Sequence, residues 1–344
     1  MQCKETVFGK LADGREVCLF HFTCEGGMKV GITNFGGIIT SLEVPDRNGK
    51  LSEVTAGFPN LEEYLKPHPY FGALIGRYAG RIGNGHLTVQ DEVYQLNKHD
   101  TYSHLHGGET GFHTRLWNAD LKISEHFGTL TLKYLSPHLE ENYPGNLDVA
   151  AVYTIFDDNR IQLEFTAVTD RPTHLNLTNH AYFNLNGFES GVSDHMIRVS
   201  ADSSVELGDT MLPTGRIVSI KGGIMDFGHL TKLTSRNIPA SFELDHCFVL
   251  DHLNSEVADV EVVHADSGRR LQIFTSQPGV QIYSGNFLDG SLTGNNGTVY
   301  HKHSAICFET QHFADSPNQP DFPSTLLLPE NVFKAITTYK FDTV

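Results

Sequence analysis

Apolar positions recur at every second residue in short runs along the whole chain, and turn-forming residues separate the runs. In "LTLKYL", Leu130, Leu132 and Tyr134 fall on one side and Thr131 and Lys133 on the other, the alternation of a half-buried strand. "VAAVYTIFDDNRIQLEFTAVT" is two such runs around Asp157-Asp158-Asn159, and "VEVVHADSGRRLQIFTS" repeats the arrangement around Asp266-Ser267-Gly268. Both read as hairpins. The 32 glycines fall mostly between runs, where tight turns need them. Helical signals are few. "PNLEEYLKP" offers Asn60 as an N-cap with Glu63 three residues on, and Pro67 as a stop. A second short helix is expected near 226–236. Without a sustained helical period, a repeat or a low-complexity linker, the pattern predicts one all-β domain over 1–344, a large antiparallel β-sandwich of two packed sheets with few short helices.

Composition narrows the class. With 39% hydrophobic residues over 344 positions, the chain has enough apolar surface for a large core. Its 41 acidic against 25 basic residues give a net charge of −16, and the longest basic run is Arg269-Arg270. Such a surface repels phosphate backbones, so nucleic acid is not an expected partner and a polyanionic substrate is disfavoured. The start "MQCKETVFGKLADGREVCLF" has no basic region leading into an apolar core. No window reaches the roughly 18 apolar residues of a membrane span. Cys3, Cys18, Cys24, Cys247 and Cys307 are odd in number with no CxxC spacing, and read as reduced thiols of a cytoplasmic protein.

Several segments carry candidate chemistry. In "NLTNHAYFNLNG", His180 stands among Asn176, Asn179, Asn184 and Asn186; a structural histidine, a metal ligand and a general acid are all open readings. In "SAICFETQHFADSPNQPD", Glu309 ends an apolar run. A carboxylate there is costly to bury unless it is paired or used, the alternative being a solvated strand end. A histidine and a partly desolvated glutamate are a plausible acid/base pair. "GRYAGRIGNG" places Arg77 and Arg81 in a Gly-rich segment, either contacting a ligand or pairing with acids in the fold. The segment lacks the lysine and following helix of a phosphate cradle. In "SHLHGGETGFHTRLW", His104 and His106 would share a face of an extended chain and, with Glu109, suggest a metal site. "HKH" at 301–303 is a second such spacing. Alternatively His106 donates a hydrogen bond to a ligand hydroxyl. Asp245 in "ELDHCFVLD", and Gln281 beside Tyr283 in "QPGVQIYSGNF", bring the carboxylate, amide and aromatic face that suit a sugar.

Seven segments in chain order, "GRYAGRI", "HLHGG", "NYPGNL", "LTNHAYFNL", "LDHCF", "QPGVQIYSGNFL" and "CFETQHFADSPNQPDFP", resemble the galactose mutarotase (aldose 1-epimerase) family across nearly the whole chain. The resemblance implies the family's β-supersandwich with an open cleft. It also implies interconversion of the α and β anomers of galactose, and of glucose, by ring opening and closure. His180 matches the general acid that protonates the ring oxygen, and Glu309 the base that takes the C1 hydroxyl proton. Arg81, His106, Asp245 and Gln281 match hexose-binding positions, and Tyr182 one that lines the cleft. Many members have Asn immediately before the matched arginine, whereas this chain has Gly80, which removes a possible polar contact. The chemistry calls for no cofactor, metal or nucleophile. A small hexose is the expected partner, with no membrane partner, and the chain is expected to be a monomer or else a dimer. His180 is expected to be partly cationic, held so by nearby carboxylates.

Other readings predict different observations. A glycosidase would use Asp245 and Glu309 as its carboxylate pair. A hexose 6-phosphate epimerase would gather basic residues at the cleft. A sugar-binding sandwich would keep Arg81 and Gln281 without needing His180 and Glu309. A metal-binding cupin would hold its ion through the histidines.

Overall fold

In the computed structural model, which describes residues 1–234, 243–251 and 256–344, three antiparallel sheets share one core. The largest has nine strands, in the spatial order Asn118–Ile123, Phe127–Ser136, Leu147–Phe156, Arg160–Thr169, Phe333–Thr343, Arg269–Thr275, Val260–Val263, Met196–Val199 and Thr231–Lys232. The six-stranded sheet runs Tyr182–Phe183, Ile306–Gln311, Gly279–Tyr283, Asp245–Val249, Ser203–Leu207 and Pro213–Ser219. The third is a five-stranded meander over residues 2–53, and four two-stranded sheets accompany these three. The all-β antiparallel sandwich is borne out, with a third large sheet beyond the two expected.

Alternation along the strands explains the layering. Leu130, Leu132 and Tyr153 from the nine-stranded sheet pack in one buried cluster with Phe20 and Val30 from the meander and Phe248, Ile282 and Phe308 from the six-stranded sheet. Truncating such a leucine to alanine typically costs about 2–5 kcal/mol. Both expected hairpins form, with ladders pairing Phe156 to Arg160 and Val263 to Arg270. Asn159 and Gly268 take the left-handed backbone at φ 62° and 70°, which Asn and Gly adopt at least cost.

The helix Leu61–Tyr64 is a single turn, capped by Asn60, whose side chain accepts from the Glu63 N–H at 3.1 Å. The second expected helix does not form among the described residues. Residues 226–234 hold turns and the strand Thr231–Lys232, and 235–236 lie outside the described residues. Asp226 accepts from the backbone N–H groups of Gly222 at 2.7 Å and Gly228 at 3.2 Å, a local bonding pattern that competes with a helix. No described helix is long and apolar enough to cross a membrane, and all five cysteines are free.

Candidate active site

One face of the six-stranded sheet feeds the main core and the other lines a cavity. On strand Ile306–Gln311, Ile306 and Phe308 point into the core, so Glu309 and Gln311 point the other way. Next to it, Gln281 pairs in register with Glu309, and Gln281 Nε2 donates to Asp245 Oδ1 at 2.7 Å. The cavity of about 250 Å³ is lined by all seven expected site residues, Arg81, His106, His180, Tyr182, Asp245, Gln281 and Glu309.

Asparagines fix the backbone that carries His180. The Asn179 side chain accepts from Ala181 N–H at 3.0 Å and donates to the Gly72 carbonyl at 2.8 Å. His180 N–H donates to Ala73 O, and its carbonyl accepts from Gly72 N–H. Asn176, Asn184 and Asn186 likewise spend their amides on neighbouring loop backbone. The ring itself is held by aromatic packing. Tyr182 stacks on it at 5.1 Å, Tyr70 tilts over it at 5.7 Å and His106 meets it edge-on at 5.2 Å.

His180 Nε2 lies 3.5 Å from Glu309 Oε1. His180 Nδ1 and Glu309 Oε2 are buried without a hydrogen-bond partner. Burial lowers the His180 pKa to about 4. It also pushes the Glu309 carboxyl well above the usual carboxylate range, with the charge of Asp245 adding to the shift. The expectation of a partly cationic His180 is therefore corrected. Burial favours the neutral imidazole, and the nearest carboxyl is itself driven toward its neutral form.

His106 differs in its tautomer. Gly80 N–H donates to His106 Nδ1 at 3.2 Å, so a neutral ring carries its proton on Nε2. Burial, followed by the neighbouring His180, holds its pKa well below the ordinary value. His106 thus presents a donor. Ligand atoms of His106, His180 and Glu309 do lie within 4.8 Å of one another, close enough to hold a metal ion. To bind that ion through Nε2, a neutral His106 would have to carry its proton on Nδ1, where the Gly80 N–H already points, so the group fits an oxygen ligand better than a cation. His104 takes no part. Its Nδ1 meets Asn97 O at 2.6 Å and its Nε2 meets Tyr143 OH at 2.8 Å. His106, at φ 51°, breaks the extended chain that would have aligned the two. Glu109, His301 and His303 stay outside the cavity lining.

The two arginines separate in the same way. Arg77 is 2% exposed and donates to the Ser136 hydroxyl and to the carbonyls of Ser136, Pro137, Pro144 and Gly145, a purely structural role. Arg81 donates through Nη1 to Asp100 Oδ2 and Ser103 Oγ, both at 2.9 Å, which orients a guanidinium at the cavity wall. Between them Gly80 sits at φ 80°, a conformation that favours glycine.

The aldose 1-epimerase family model matches residues 19–340. The chain belongs to this family of isomerases. It is 40% identical over 339 residues to galactose mutarotase from Mus musculus, covering 98% of both chains. Aldose 1-epimerase from Escherichia coli is 30% identical, with 96% of each chain covered. Among solved structures, the aldose epimerase homologue from C. elegans superposes with a TM-score of 0.88 at 29% identity, covering 95% of this chain and 99% of the other. Galactose 1-epimerase from Lactobacillus acidophilus gives 0.86 at 25% identity, with 99% of both chains covered.

Among the lining residues that sequence reasoning missed are Tyr70 and Gln311. Tyr70, at φ 60°, packs against His106, His113 and His180, and nothing in "KPHPYFG" signals this. Gln311 was legible, because it stands two residues beyond Glu309 on one strand and so shares its face.

Proposed function

We propose that the protein interconverts the α and β anomers of D-galactose, and of D-glucose, with His180 and Glu309 as acid and base. The observation that carries this reading is the buried His180–Glu309 pair at 3.5 Å in a cavity whose other polar groups suit hydroxyls. Names carried by the relatives, galactose mutarotase among them, support the choice of sugar. A cytosolic setting belongs to the proposal and is supported by the five free thiols.

The pair enters with one proton. Sugar binding brings the ring oxygen and the C1 hydroxyl against it, and hydrogen bonds from Arg81 and His106 favour the form with imidazolium His180 and carboxylate Glu309. Glu309 takes the proton of the C1 hydroxyl. The C1=O double bond forms as C1–O5 breaks, and the electron pair left on O5 takes the proton of His180. The open aldehyde turns about C1–C2. O5–H then attacks the other face, His180 recovers its proton and Glu309 returns one to O1. Neither proton nor electron is gained overall, and concerted transfer of this kind accelerates a reaction by roughly 10²–10⁴-fold per group. Exchange NMR on equilibrated galactose tests the proposal: enzyme-dependent exchange between the two anomeric protons is expected, and none by folded protein would contradict it.

A further inference from the structure

Gln311 is 1% exposed, lines the cavity and has no donor to its Oε1 among the described residues. Its neighbours explain the isolation. Gly80 offers no side chain, and a Cβ there would lie 3.4 Å from Gln311 Nε2, so the amide stands beside bare backbone. Its register partner on the neighbouring strand, Gly279, has no side chain, and Gln281 spends its amide Nε2 on Asp245 Oδ1. A buried amide oxygen without a donor is unfavourable in the empty protein, and a ligand hydroxyl would relieve that cost.

We propose that Gln311 is a specificity-determining residue that binds a sugar hydroxyl on the side of the ring remote from C1, accepting through Oε1 and offering Nε2 to a neighbouring oxygen. The location follows from the strand. Glu309 works at the C1 oxygen in the proposed function, on which this inference rests. Gln311 is two residues farther along the same face, about 6.6 Å away, which is the scale of a pyranose measured from its C1 oxygen to the hydroxyls of C3 and C4. Those hydroxyls distinguish one hexose from another, so an amide there selects among sugars while taking no part in proton transfer.

The test compares D-galactose with its 2-deoxy, 3-deoxy and 4-deoxy analogues, using wild type and Gln311→Met, with anomerisation rates and calorimetric affinities measured side by side. Wild type is expected to lose roughly 10- to 100-fold in kcat/KM on the 3-deoxy or the 4-deoxy sugar. Gln311→Met should lose a similar factor on galactose, mainly through KM, and should no longer distinguish galactose from that one analogue. The 2-deoxy sugar should respond equally in both proteins. Kinetics of a folded Gln311→Met within about twofold of wild type, or an undiminished preference against the analogue, would overturn the inference. Should Gln311→Met fail to fold, wild type alone decides: no penalty for either remote deoxy sugar also overturns it. A wild type that binds galactose without accelerating its anomerisation would overturn the proposed function, and the affinities would still answer the question about Gln311.

Discussion

His180 Nε2 and Glu309 Oε1 face each other at 3.5 Å in a site that penalises charge on either. Each is nearly inaccessible, with 4% and 3% exposure, and each keeps its second heteroatom unpaired. Burial favours the neutral form of each group, and a polar ligand that bonds to both partners favours the separated charges that acid/base work requires.

The pH dependence follows from these shifts. His180 has its pKa lowered to about 4, so the pair gains a second proton only as the pH falls toward that value. Glu309 is pushed upward, so the pair keeps its single proton to a higher pH than an ordinary carboxylate would. kcat/KM should therefore stay level from neutral pH down past the ordinary histidine value of about 6.5 and fall only toward pH 4. NMR titration of His180 should find a neutral ring throughout that plateau. An acid limb at the ordinary histidine value would contradict this assignment.

Stability should carry the opposite mark of the same carboxyl. A pKa raised in the folded state means that the fold binds a proton more tightly than the unfolded chain does. The contribution of Glu309 is fully present below its unfolded value of about 4.3 and is lost as the pH rises through the folded one. Glu309→Gln removes that titration, so its Tm should gain on wild type as the pH is raised. Thermal melts across pH check this, and a difference that does not vary with pH would count against the buried-carboxyl account.

The fold was legible wherever side chains alternate, as in Phe127–Ser136 and the two hairpins. It was not legible near 226–236, where the Asp226 side chain bonds local backbone in place of a helical turn. The site was readable as residues but not as states. His180, Glu309, Arg81, His106, Tyr182, Asp245 and Gln281 all reach one cavity, yet neither spacing nor resemblance revealed the depth of burial that makes His180 neutral. Nor could spacing divide Arg77 from Arg81 or His104 from His106, because their partners come from segments as distant as Asn97, Ser136 and Gly145.

Those arginines give a paired prediction. Arg77→Met takes a guanidinium donor from the carbonyls of Pro144, Gly145, Ser136 and Pro137, of which Pro137 still accepts from the Glu140 N–H. It should lower stability by about 3 kcal/mol or more, read by denaturant unfolding, while any protein that still folds keeps near-normal kinetics. Arg81→Met should fold normally. It should lower kcat/KM by roughly 10- to 100-fold, the scale of a lost charged hydrogen bond. Equal effects of the two on stability would contradict the division.

Polarimetry on freshly dissolved α-D-galactose tests the central claim most directly, with wild type, Glu309→Gln and His180→Asn each assayed with and without chelator. Wild type should speed the approach to the anomeric equilibrium, and each substitution should reduce kcat by roughly 10²–10⁴-fold while chelator changes nothing. A folded wild type that leaves the spontaneous rate unchanged, or a Glu309→Gln protein as active as wild type, would contradict the account.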